Sequence, residues 1–172
     1  QLPGNADLRC VTHHAGHILG ALACEFQHEG RRILYTGDIH FESQTLCGPA
    51  DLPEDGLDTI ICETTRGGVA RDPEYTRARE IDRLCDSINR ILERGGSVLA
   101  PVFAMGTTQE LLLILHQLKE TGRIPAETPV HIGGLSTKMT TIYDRLCSRS
   151  RRHYPDFRIL EEMDLLVASS RK

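Results

Sequence analysis

A chain of 172 residues and 19.2 kDa holds one ordinary domain or parts of two. Hydrophobic residues make up 40% and charged residues 26%, which is the balance of a globular protein and not of a disordered one. The net charge of −4 and pI of 6.1 exclude a generic, strongly basic nucleic-acid coat, and the longest apolar run, Leu111 to Leu115, is far short of the roughly 18 residues of a membrane span.

The first residue is Gln1, and no basic stretch leading into an apolar run follows it. No signal peptide is read here, and the chain is expected to be a segment of a longer protein. Cysteines stand at 10, 24, 47, 62, 85 and 147, too far apart for a CxxC zinc or redox pair. Their apolar neighbours, as in Ile60-Ile61-Cys62 and Leu84-Cys85, predict reduced, buried thiols in an intracellular, cytoplasmic protein.

In chain order, Leu8 to Thr12 is strand-like. Ala21 to Gln27 and Arg32 to Thr36 are β-prone runs joined by His28-Glu29-Gly30, a hairpin-length turn. A long loop with two Pro and two Gly separates Ile39 from Gly56, and loops of that length are often functional. Leu57 to Cys62 reads as a buried strand. From residue 72 the period becomes helical. Asp72 followed by Pro73 predicts an N-cap, and Ile81, Leu84, Cys85, Ile88, Ile91 and Leu92 form one apolar stripe up to Gly95-Gly96. Ser97 to Pro101 reads as a short buried strand. Thr107 and Glu110 fit a capping box for a helix reaching towards Gly122. Pro129 to Ile132 is a further strand, and Ser136 is expected to cap a helix through Leu146. The alternation predicts an α/β fold with parallel strands, and the change of character near residue 65 predicts pieces of two domains.

Three segments carry chemistry. His13-His14-Ala15-Gly16-His17 places three imidazoles within five residues, with a glycine that lets the backbone approach closely, and imidazole nitrogen suits zinc. Asp38 ends Tyr35-Thr36-Gly37-Asp38, where a carboxylate either binds metal or caps a turn. Glu63 follows a strand directly, and an acid there is either solvated or held by partners that orient it. Gly133 to Lys138 lacks the spacing of a nucleotide-binding P-loop, though its helix start could meet a phosphate. The basic run Arg149-Ser150-Arg151-Arg152-His153 is read either as a solvated helix end or as an RNA contact.

Taken together, His14-Ala15-Gly16-His17-Ile18-Leu19-Gly20-Ala21, Leu34-Tyr35-Thr36-Gly37-Asp38, Cys62-Glu63-Thr64-Thr65, Pro101-Val102-Phe103-Ala104-Met105-Gly106 and Gln109-Glu110-Leu111-Leu112 carry a resemblance. The chain resembles the metallo-β-lactamase fold, in its β-CASP nucleic-acid-processing branch, from about residue 12 to 146. The resemblance implies an α/β fold: part of a metallo-β-lactamase αββα sandwich over residues 1–68, then part of a β-CASP domain with a mostly parallel sheet over 69–172. It implies two zinc ions in the full-length protein, with His17 and Asp38 as metal ligands and Asp38 as the bridge. Glu63 becomes the catalytic-site acid at the domain border, outside the metal's own ligands.

By the same resemblance the full-length protein is a metal-dependent phosphodiesterase acting on RNA, with single-stranded DNA as the alternative partner, no membrane, and a homodimer left open. Two divalent ions roughly 3.5–4 Å apart can stabilise both the attacking and the leaving oxygen of a phosphodiester. The family's HxHxDH signature would lie before residue 1 and two later His motifs after residue 172, so the segment alone is expected to be inactive and to hold metal weakly. Thr107 stands where the family often has Arg. Two rival readings are a non-catalytic binding or scaffold subunit and a hydrolase of small esters or thioesters on the same core. Two geometric expectations follow. His17 and Asp38 should lie within about 7 Å of each other at one edge of the β-rich piece. Glu63 should be held by a backbone amide or a local cation, or else be solvated.

Overall fold

The computed structural model describes residues 7–168. The chain divides into two compact units, Gln1–Gly68 with Arg149–Pro155, and Val69–Ser148 with Asp156–Lys172.

The first unit is built on a four-stranded sheet in the order β1 (Arg9–His14), β2 (Leu22–His28), β3 (Arg31–Tyr35), β4 (Thr59–Ile61). β1 pairs antiparallel with β2, with Val11 opposite Glu25, and β2 pairs antiparallel with β3. The β2–β3 turn is the two-residue Glu29-Gly30, both with positive φ (49° and 76°), the turn whose twist matches that of its strands. β3 and β4 run parallel, with Leu34 opposite Ile60. Side chains alternate across the sheet, so Ala23 and Leu34 fall on one face, where they form a small core with Ala15 under Leu52 and Leu57.

Leu57 to Cys62 departs from the expected buried strand. Only Thr59–Ile61 joins the ladder, and Ile60 and Ile61 are more than half exposed. β4 is bonded to β3 alone, and among the described residues no layer covers Ile60 and Ile61. Cys62 and Cys10 are likewise exposed, whereas Cys47, Cys85 and Cys147 are buried, and all six are free thiols.

The second unit contains α1 (Arg77–Leu92), α2 (Thr107–Glu120), β5 (Val130–Gly133), α3 (Leu135–Arg145), α4 (Ile159–Glu162) and β6 (Leu165–Ala168). Ile81, Leu84, Cys85, Ile88 and Leu92 of α1 pack with Ile114, Leu115 and Leu118 of α2 and with Ile124. Full burial of such a side chain contributes about 1.5–3 kcal/mol. β5 and β6 pair in parallel. The buried Asp144 accepts the amides of Ile159 (2.9 Å) and Leu160 (2.8 Å), tying the start of α4 to α3.

The cap positions differ from those expected. α1 begins at Thr76, whose hydroxyl accepts the Arg79 amide, while Asp72 closes the preceding turn by accepting the Glu74 amide. At α2 the reciprocal bond lies one residue earlier than the expected pair: the Gly106 amide donates to Gln109 Oε1 at 2.8 Å. Glu110 instead pairs with Arg77. Gly134, not Ser136, is the N-cap of α3. Ser97 to Pro101 forms no strand and is exposed, with Leu99 at 91%. An apolar run becomes a strand only where a ladder partner exists, and β5 pairs with β6 instead.

Candidate metal and catalytic site

The topology of the first unit explains why three separated segments meet. β1 is antiparallel to β2 and β2 to β3, so β1 and β3 run in the same direction; β4 is parallel to β3. The C-terminal ends of β1, β3 and β4 therefore open onto one edge of the sheet. His17 leaves β1 through Ala15-Gly16, Asp38 leaves β3 through Thr36-Gly37, and Glu63 follows β4 after Cys62.

The structure brings His17 and Asp38 together, with Nε2 and Oδ2 3.9 Å apart. Both side chains reach solvent, at 47% and 75% exposure, so an incoming ion can approach them. The Gly37 φ of 57° and the bond from Thr36 N to Ile61 O at 3.0 Å set the sharp exit that aims Asp38 along this edge.

Glu63 is held by local backbone amides. It accepts the Ile39 amide on Oε1 (3.3 Å) and the Thr65 amide on Oε2 (3.1 Å). Hydrogen bonding from the Thr65 side chain first, then from the Ile39 and Thr65 amides, keeps its carboxyl below the ordinary carboxylate range, and the nearby His17 adds to this.

The three histidines do not act as a set. Successive strand side chains point to opposite faces, so His13 and His14 diverge. His13 Nε2 lies 2.9 Å from Glu25 Oε2, and His14 Nε2 lies 3.3 Å from the Gly48 carbonyl. Only His17, beyond the strand, turns to the shared edge. The His13 partner belongs to a network in which buried Glu25 also accepts Arg32 Nε (2.6 Å) and Gln27 Nε2 (2.7 Å). Arg32 above all, then Gln27, lowers the Glu25 pKa to about 2 against the desolvation that opposes it.

The loop of residues 39–56 contributes residues that the sequence reading does not single out. Gln44 Nε2 donates to the Gly16 carbonyl (2.7 Å) and the His17 carbonyl (2.9 Å). Its only sequence signal is its place in a long loop. The basic run of residues 149–153 lies in the same unit: His153 N donates to Leu46 O, Arg151 pairs with Asp51 at 3.1 Å, and Arg152 is buried. The run starts at the end of a short 3-10 helix, Cys147–Arg149, and is solvated only in part.

An imidazole nitrogen and a carboxylate oxygen at this separation suit a divalent cation in kind. In number they fall short, since a catalytic zinc takes about three protein ligands, and among the described residues no group of three or more candidate ligands gathers.

No family model matches the chain. Among curated proteins it is similar to Endoribonuclease YSH1 of Mycosarcoma maydis, 41% identical over 110 residues, which is 64% of this chain and 12% of that protein. It is similar to the RNase J-like protein of Methanocaldococcus jannaschii, 35% identical over 137 residues, 80% of this chain and 32% of that protein. It is also similar to Transcription termination factor FttA of Methanothermobacter thermautotrophicus, 37% identical over 140 residues, 80% of this chain and 22% of that protein. The chain thus spans a third or less of the length of these relatives. Two of these three relatives carry ribonuclease names and the third is named as a transcription termination factor. The chain fits a partial β-CASP protein of the metallo-β-lactamase fold, with a mixed α/β architecture.

Proposed function

We propose that this chain is part of a zinc-dependent, cytoplasmic β-CASP nuclease that cleaves phosphodiester bonds in RNA, with two metal ions in the full-length protein. Residues 1–68 would belong to its metallo-β-lactamase-like half and 69–172 to its β-CASP domain. The observation that carries this reading is the 3.9 Å approach of His17 to Asp38 at the edge where β1, β3 and β4 end. The names of the relatives support RNA as substrate.

His17 and Asp38 would supply two of the ligands. Bound divalent ions would supply Lewis-acid stabilisation of charge on the phosphodiester oxygens. The chain's own contribution is positional. Glu63 holds the Ile39 amide, which fixes the residue after Asp38 and so the direction in which that carboxylate leaves the sheet.

The test is made on the full-length protein, with zinc content and RNA cleavage measured together. His17→Ala and Asp38→Asn should each lower zinc content and abolish cleavage. Wild-type zinc content with both substitutions would refute the site. Zinc binding without cleavage of RNA, DNA, ester or thioester substrates in the wild type would favour the scaffold reading.

A further inference from the structure

We infer that Gln44 is a positioning residue for His17, an inference that rests on the metal reading above. Gln44 stands in the 39–56 loop and is half-buried. Its side-chain amide donates to two consecutive carbonyls, those of Gly16 and His17. Holding both carbonyls fixes the two peptide planes on either side of the His17 Cα. The orientation of those two planes sets the direction of the His17 Cα–Cβ bond.

The rest of the loop clamps the chain just before this point. His40 N donates to Ala15 O at 2.9 Å, and Asp51 N donates to His14 O at 2.8 Å. Gly16 has φ of 73°, and a Cβ there would stand 2.3 Å from the His40 carbonyl and 2.4 Å from the Ala50 amide. These backbone contacts secure residues 14 to 16. Control passes to the Gln44 side chain at His17, the first residue of the segment that carries a proposed ligand.

Gln44 is itself well anchored. Its amide donates to the Cys47 carbonyl at 2.9 Å, closing a turn. The far side of that turn is held by the 149–155 segment: His153 N donates to Leu46 O at 2.9 Å, Cys47 bridges to Arg152, and the Ser43 hydroxyl lies 3.0 Å from His153 Nε2. An exposed imidazole needs such support, because a ligand misplaced by about 1 Å loses most of its value to a metal or a reaction.

The experiment uses the full-length protein and zinc alone as ligand, with affinity read by competition with a chelator and geometry read from the visible spectrum of the cobalt-substituted form. Gln44→Met keeps length and removes both donors. It should weaken zinc binding about 10- to 100-fold, the range typical for loss of a group that orients a ligand, and it should broaden the cobalt spectrum. Gln44→Lys restores a donor at the end of a chain of similar reach, and should recover most of the affinity. Wild-type zinc affinity in Gln44→Met, or equal weakening in Gln44→Met and Gln44→Lys, overturns the inference. His17→Ala serves as the separate control. If it leaves zinc affinity unchanged, the metal reading itself fails. If it weakens binding while Gln44→Met does not, only the role of Gln44 fails.

Discussion

The carboxylate of Glu63 receives the backbone amide of Ile39, the residue directly after Asp38. One acid thereby steadies the turn that carries another. Its second oxygen is taken by the Thr65 amide, so both oxygens are engaged within the protein. In the full-length protein, Glu63→Gln should lower turnover while leaving metal content nearly unchanged, because the amide group keeps one acceptor oxygen and loses the charge. Parallel measurement of zinc content and cleavage rate checks this. Loss of metal in proportion to activity would move Glu63 among the ligands.

Gly16→Ala should destabilise the first unit by about 3 kcal/mol or more, as overpacking and positive-φ strain add. The added methyl meets backbone atoms of His40, Pro49 and Ala50, which cannot swing aside as a side chain would. Urea unfolding followed by tryptophan-free probes such as far-UV circular dichroism measures the change. A loss below about 1 kcal/mol would show that the 39–56 loop yields easily.

Buried Glu25 makes stability depend on acid. Its carboxyl sits at about 2 in the folded protein and at the ordinary 4.5 when free of its partners. The stabilisation is complete above about pH 4.5 and is lost as pH falls towards 2, because the unfolded chain then binds the proton first. Glu25→Gln should remove this part of the pH dependence. Thermal midpoints of both forms between pH 2 and 6 check it, and an unchanged slope in the variant would refute the assignment.

Gln109→Ala should cost the second unit about 2–4 kcal/mol, as three hydrogen-bonding groups lose a fully buried partner. The Gln109 side chain accepts from Gly106 N and donates to the Ala104 carbonyl and the Thr140 hydroxyl. It joins the loop before α2 to α3. A chemical-denaturation curve shows the loss, and rapid exchange of the Gly106 amide should accompany it.

Local chemistry made much of this protein readable from its residues. The hairpin followed from β-prone runs on either side of Glu29-Gly30, and the α1 stripe from apolar residues at helical spacing. The segments around His17, Asp38 and Glu63 stood out because each placed a polar group at the end of a strand-like run. Periodicity and turn chemistry act over a few residues, so they survive reading in one dimension.

Three other matters were decided by tertiary structure. Burial of Leu57 to Cys62 depends on a covering layer, and among the described residues none lies over Ile60 and Ile61. The separation of His13 from His17 depended on where β1 ends: a continued strand would put both on one face, but the ladder stops at His14. The grip of Gln44 on Gly16 and His17 joins positions 28 and 27 residues apart, and no short-range pattern records that contact. The composition and motifs of the sequence determined what kinds of groups this chain brings to its sheet edge. The parallel run of β1, β3 and β4 and the fold-back of the 39–56 loop decided which of them meet, because those contacts exist only once the chain is closed on itself.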